Sequence, residues 1–261
     1  MKRWSGFVAG LLAMALVAGL LAAVPARVLA TERAFAVGQD KDAEAKARVE
    51  QSFKESGLLI GNDIQVVVGK NAIALTGTVR TLAEKEKAGH DAAAAAKGYK
   101  VVNSLALAES GRSAREIGDA VMSAIEKSPS YFIYDLVGPD VTPTGEVTLK
   151  GWTSYPWSAT EFVKLAQAQP GVTKVRNDIQ RLLMGDADRN LRTFVAQLIY
   201  TRPTGPSFPR STGAVHIVVI NGVVTLGGTV EKQADAESYE RLIRLNTGAL
   251  NVNNGLRVRQ K

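Results

Sequence analysis

The sequence predicts an α+β protein built from three tandem small αββαβ units, each with two helices packed on one face of a three-stranded mixed sheet. Three observations carry this reading. The stretch Val147-Thr148-Leu149-Lys150-Gly151 has two counterparts, Ile73-Ala74-Leu75-Thr76-Gly77 and Val224-Thr225-Leu226-Gly227-Gly228. Each alternates apolar and polar residues and ends on glycine, the pattern of a half-buried strand that closes where the backbone turns or packs tightly. A second signature follows each one: Val101-x-Asn103-x-Leu105, Val175-x-Asn177-x-Ile179 and Val252-x-Asn254-x-Leu256. The distance from glycine to asparagine is 26 residues all three times, which marks three copies of one unit. Gly77, Gly151 and Gly228 lie 74 and 77 residues apart, so each core is small and neighbouring units are expected to support one another.

The units are expected at residues 43–110, 111–185 and 186–260, behind a leader at 1–30. Met1-Lys2-Arg3 gives the leader a basic start, Phe7 to Val24 is an uncharged apolar run of 18 residues, and Val28-Leu29-Ala30 precedes Thr31 as a cleavage site would. This reads as an export signal cleaved after Ala30, with an uncleaved anchor as the alternative. The chain has no cysteine. A lipid-modified N-terminus, thiol catalysis, thiolate metal sites and iron–sulfur clusters are therefore excluded; the export signal, of bacterial type, makes the periplasm the expected compartment.

In the first unit, residues 31–42 read as a mobile polar lead-in. Ala45, Val49 and Phe53 then recur every four residues on one helix face, and Gly57 ends that helix. Ile64, Val66 and Val68 mark a strand. A turn at Lys70-Asn71 returns the chain through a second strand, Ile73 to Val79. A helix over 82–97 carries an alanine run from Ala92 to Ala96 that permits close approach of another element. A strand over 99–107 closes the unit.

The second unit opens at Ser113, with Glu116 three residues on as a capping box and Ile117, Val121 and Ile125 as the apolar stripe. Tyr131 to Val137 reads as its first strand and residues 138–145 as a hairpin loop. Glu146 to Thr153 is the second strand, 158–169 a helix and 173–182 the third strand. The third unit starts with a helix capped by Asp186 or Asp188, bearing Leu191, Phe194, Val195 and Leu198. A proline-rich insertion, Arg202 to Arg210, follows. Val215 to Ile220, the Asn221-Gly222 turn and Val223 to Val230 make a hairpin; a helix over 232–245 and a strand over 249–258 complete the unit. In each unit the last two strands are joined through a helix, which predicts that they run parallel.

The formal net charge is +7, but Lys2, Arg3 and Arg27 of the leader supply three of those charges and residues 186–261 the other four. The basic balance is thus no argument for nucleic acid, and none is expected as a partner. No HExxH, GxSxG, Walker-type loop or dinucleotide-binding glycine run occurs. His90 and His216 fall in different units and read as solvent-facing or internally hydrogen-bonded. Asp186-Ala187-Asp188-Arg189-Asn190 imitates the start of a calcium loop, but Leu191 stands where that loop needs glycine and Gln197 where it needs glutamate; helix capping is the reading kept. No catalytic, cofactor or metal site is expected.

The helix-strand-strand-helix-strand order, the strand ending on glycine and the late Val-x-Asn-x-Leu/Ile strand resemble the BON domain, named for bacterial osmotically inducible periplasmic proteins and nodulation proteins. The resemblance covers residues 43–259. Gly77, Gly151 and Gly228 match the family's glycine, and Asn103, Asn177 and Asn254 its asparagine; both sets read as structural. Three departures stand out: Lys97 where the other units have Gly171 and Gly248, Trp152-Thr153 where they have Thr-Val, and the proline-rich insertion. The resemblance implies a non-enzymatic envelope protein tied to osmotic stress tolerance and outer-membrane integrity, with phospholipid binding or a chaperone-like role.

Two surface features offer partners. Arg189, Arg192, Arg202, Arg210, Arg241 and Arg244, with Arg257 and Arg259, concentrate in the third unit, and guanidinium forks suit anionic head groups of a membrane phospholipid surface. Trp152, Tyr155 and Trp157 crowd one strand-to-helix turn and suit an envelope protein or a membrane interface. The ordinary alternatives are a solvated charge surface and a staple of helix onto sheet. The sequence leaves oligomeric state open.

Overall fold

The computed structural model describes residues 26–69, 71–183, 185–201 and 215–259. Most of the leader, together with Arg202 and Arg210, lies outside these residues. Unit 1 comprises α1 (Ala26–Glu55), β1 (Asp63–Gly69), β2 (Ala72–Val79), α2 (Leu82–Ala95), β3 (Lys100–Asn103) and β4 (Ala106–Leu107). Unit 2 comprises α3 (Ala114–Glu126), β5 (Leu136–Val141), β6 (Glu146–Thr153), α4 (Pro156–Gln167) and β7 (Lys174–Arg181). Unit 3 comprises α5 (Asp186–Tyr200), β8 (Val215–Ile220), β9 (Val223–Val230), α6 (Gln233–Asn246), β10 (Asn251–Asn254) and β11 (Arg257–Val258). The glycine-ending strand is central in each sheet, antiparallel to the strand before it and parallel to the strand after the helix. The predicted α+β order and parallel pairing both stand.

Each unit buries its own apolar cluster between helices and sheet. In unit 1, Ala45, Val49 and Phe53 of α1 meet Ala88, Ala92 and Ala96 of the second helical segment, and all six are fully buried. Alanine on one side lets the backbones approach while Phe53 fills the gap, worth about 2–3 kcal/mol for a ring of that size. Capping boxes open α2 (Thr81 with Glu84) and α3 (Ser113 with Glu116). No described helix is long and apolar enough to cross a membrane.

Four local expectations are corrected. The described part of helix α1, from Ala26, runs through residues 31–42; Glu32, Arg33, Ala34, Ala36, Gln39 and Lys41 are good helix formers, and no proline interrupts them. The first strand of unit 2 is Leu136–Val141 rather than Tyr131 to Val137. Pro139 sits inside that strand, tolerated because β5 is an edge. The hairpin loop shortens accordingly, closed by Thr142 N–H donating to the Glu146 carbonyl (3.0 Å) and Gly145 N–H to the Thr142 carbonyl (2.9 Å). Helix α5 is capped by Gly185 with no side-chain bond. The Asp188 carboxylate instead accepts the Asn221 and Gly222 amides, both at 2.8 Å, and ties α5 to the β8–β9 turn.

The units are not independent beads. Leu82, the first residue of α2, packs on the core of unit 2, and the Gln167 amide donates to the Glu86 carboxylate at 2.8 and 2.9 Å. The contact between units 2 and 3 is deeper and builds the site described next.

Candidate functional site at the seam of units 2 and 3

Between α3 and β5 the chain makes a hook, Ser128–Asp135. Tyr131 N–H donates to the Ser128 carbonyl (3.1 Å) and Asp135 N–H to the Phe132 carbonyl (2.9 Å). The Asp135 carboxylate locks this turn. It accepts from Phe132 N–H (2.8 Å), Ser154 N–H (2.7 Å) and the Thr153 hydroxyl (3.1 Å), all within unit 2. Asp135 is fully buried; burial pushes its carboxyl above the usual range while these donors pull it back. The Ser158 hydroxyl, in the first turn of α4, holds the start of the hook through the Ser130 carbonyl (2.9 Å).

The hook reaches into unit 3. Tyr131 meets Phe162 of its own core edge-on (5.6 Å between ring centroids) and stacks on His216 of β8 at 4.3 Å. The Phe132 carbonyl lies 3.0 Å from His216 Nδ1. Ile133 belongs to the apolar cluster of unit 3, and its carbonyl accepts Ile217 N–H at 2.7 Å. Tyr134 lies under the Arg192 guanidinium, 4.1 Å from carbon to ring centroid. Burial holds His216 neutral, pushing it from 6.5 down to about 4; the Tyr131 hydroxyl is pushed up by the same cause.

Beside the hook a cleft of about 980 Å³ opens between the units, with Leu136, Trp152 and Met122 on the unit 2 side and the glycines Gly227, Gly228 and Gly255 on the other. Gly227 makes room there for Leu136: a Cβ would stand 2.2 Å from Leu136 Cδ1 and push that side chain aside. Among the described residues no group of three His, Asp or Glu side chains is placed to hold a metal ion.

The three aromatics of the strand-to-helix turn part company. Trp152 lines the cleft, half-buried. Tyr155 and Trp157 are 41% and 59% exposed, stacked at 4.5 Å with planes 21° apart. Phe132 of the hook meets Tyr155 edge-on at 5.2 Å. The exposed pair is thus fixed from behind, and Trp157 is too open to staple α4 to the sheet.

The arginines also separate. Arg192 is 8% exposed, donates to the Ser154 hydroxyl (3.3 Å) and leaves its Nε buried without a partner. Burial works against its charge, and Tyr134 and Asp135 support it. It is a seam residue rather than a surface cation. Arg189 pairs with Asp186 and Arg244 with Glu240, each at 2.9 Å; Arg244 also donates to the Val252 carbonyl. Arg241 is exposed on α6, Arg257 lines the cleft and Arg259 holds Glu231 at 2.9 Å.

Gly77, Gly151 and Gly228 all have positive φ, at 108°, 121° and 101°, and face Ile64, Val137 and Val215 across their hairpins. A Cβ on Gly77 or Gly151 would lie 2.1 or 2.0 Å from the Asp63 or Leu136 carbonyl oxygen. The backbone itself demands glycine. Each asparagine accepts the amide two residues on: Leu105 to Asn103 (3.3 Å), Ile179 to Asn177 (3.1 Å) and Leu256 to Asn254 (3.2 Å). Asn103 and Asn254 also donate to the preceding helix, at the Lys85 and Ala236 carbonyls. Exposed Asn177 makes no such bond among the described residues, and β7 runs unbroken where units 1 and 3 split the strand in two.

The hook is what sequence reasoning missed. Its signal is present: Tyr131-Phe132-Ile133-Tyr134 is four large apolar residues without alternation. The helix-to-strand link also spans nine residues (127–135) in unit 2 against seven (56–62) in unit 1. His216 proves internally hydrogen-bonded, and His90 is exposed.

A search of curated proteins finds no match. Among solved structures, the C-terminal domain of CdsD, a structural protein of the type III secretion system of Chlamydia trachomatis, matches at 13% identity over 82% of this chain and 96% of that one, with a TM-score of 0.24. The periplasmic domain of PrgH matches at 13% identity over 78% of this chain and 100% of that one, with a TM-score of 0.20. The family model of the BON domain matches residues 41–109, 114–181 and 207–260. The chain therefore belongs to the BON-domain family, with three tandem copies.

Proposed function

We propose that this chain is a non-catalytic, exported binding protein of the bacterial cell envelope, and that the exposed Tyr155–Trp157 pair is its contact with a protein partner. One observation carries the choice of contact. Two large rings stand stacked in solvent on a support that Phe132 and Asp135 hold rigid, and flat amphipathic rings of low entropy are what protein interfaces use as anchors. The phospholipid reading needs a cluster of free cations. Among the described residues, Arg192 is buried and Arg189 and Arg244 each hold a carboxylate, so that reading leans on exposed Arg241 and Arg257, with Arg202 and Arg210. Through such a contact the chain would support envelope integrity and osmotic stress tolerance as a chaperone or scaffold.

The test is co-sedimentation of the mature chain with neutral and anionic vesicles at low and high salt, alongside in-cell photocrosslinking from position 157. Discrete protein adducts at 157 without vesicle binding are expected. Binding to anionic vesicles that collapses in salt and survives Tyr155→Ala and Trp157→Ala would overturn the proposal.

A further inference from the structure

The seam between units 2 and 3 carries a single imidazole, His216 of β8, which pairs with Gly227 of β9 within its own unit and meets the hook of the other. His216 is 7% exposed. One face is covered by Tyr131 at 4.3 Å, and Nδ1 has the Phe132 carbonyl at 3.0 Å. The neighbouring backbone bond, Ile217 N–H to the Ile133 carbonyl, joins the same two segments. Separating the units would break both bonds, unstack the rings and wet the imidazole. We infer that His216 makes this seam an acid-sensitive joint: protonation of the ring favours separation of unit 3 from the hook and opens the cleft whose walls the two units share.

In the closed joint burial keeps His216 deprotonated down to about pH 4, whereas a separated, wetted imidazole titrates near its usual value, about 6.5. Closure is at full strength above pH 6.5. It weakens as pH falls through the window between the two values, because the open form binds the extra proton. The closing equilibrium falls on the order of 30-fold by pH 5.

Other charges face the same place. Asp135, at the end of the hook, is raised by burial, so its titration opposes that of His216; its three donors all belong to unit 2 and stay with it when the joint opens. Glu126 of α3 and Arg257 of β11 act on Tyr131 with opposite signs. Arg192 of α5 keeps its charge throughout. The joint is also coupled to the proposed contact, since the side chain of Phe132 supports Tyr155 while its carbonyl holds His216.

The chain has no cysteine, so spin labels on Lys164→Cys in α4 and Glu237→Cys in α6 report the distance between units in the full chain. One narrow distance distribution is expected at pH 7.5, with a second, longer population growing below pH 6.5. His216→Phe, which keeps a ring against Tyr131, should abolish the pH response, and so should His216→Gln. Asp135→Asn should retain it. A wild-type distribution unchanged down to pH 4, or the same response in both His216 variants, overturns the joint. An NMR titration of the His216 ring in the wild type decides the matter independently of how the variants fold: a midpoint near 6.5 sinks the inference, and one well below it supports it.

Discussion

Ile133 belongs to unit 2 by sequence and to unit 3 by packing: its side chain lies in the apolar cluster around Val195, Ile217 and Tyr239, and its carbonyl accepts Ile217 N–H at 2.7 Å. Ile133→Ala should therefore destabilise unit 3 although the substitution lies outside it, by about 2–5 kcal/mol for a buried isoleucine. Hydrogen exchange resolved by unit checks this, with protection lost first in β8 and β9. Loss confined to unit 2 would contradict the shared core.

Two glycines of unit 2 should respond in opposite directions. Gly151→Ala places a Cβ 2.0 Å from the Leu136 carbonyl oxygen at a φ of 121°, and should cost at least about 2 kcal/mol from backbone strain and clash. Gly118→Ala lies in α3, where a Cβ meets Val141 Cγ2 at an ordinary 3.5 Å, and should stabilise by about 0.5–1 kcal/mol. Urea unfolding of both variants measures the contrast.

The repeated asparagines should not be equal. Asn254 donates to the Ala236 carbonyl and the Glu240 carboxylate and accepts Leu256 N–H; its replacement by alanine should cost about 1–3 kcal/mol. Asn177 makes one exposed bond within its own strand, so Asn177→Ala should stay within about 0.5 kcal/mol. Equal losses in thermal unfolding would show that the motif stabilises each unit in some other way.

Asp188 joins α5 to the turn of the third hairpin through two charged hydrogen bonds of 2.8 Å. Asp188→Ala should lower the stability of unit 3 by about 2 kcal/mol, and Asp188→Asn should recover part of it. Calcium should leave the melting temperature of the wild type unchanged, since both carboxylate oxygens already serve backbone amides. A calcium-dependent rise would restore the metal-loop reading.

The repeat, the α+β order, the parallel pairing and the glycine positions were determined by the sequence alone. Each rests on local physics: alternation sets a strand's faces, i, i+4 spacing sets a helix's buried side, and a backbone with positive φ admits glycine. The tertiary structure alone decided the rest. Arg192 and Arg189 sit one turn apart on the same helix with the same chemistry, yet docking on the hook buries the first under Ser154 and over Tyr134 and leaves the second in solvent. Trp152 and Tyr155 lie three residues apart, yet the end of β6 sends one into the cleft and the other to the surface. Periodicity within a unit carries no record of which face the neighbouring unit covers, because that depends on groups distant in sequence meeting across the seam, as Arg192 meets Tyr134 and His216 stacks on Tyr131.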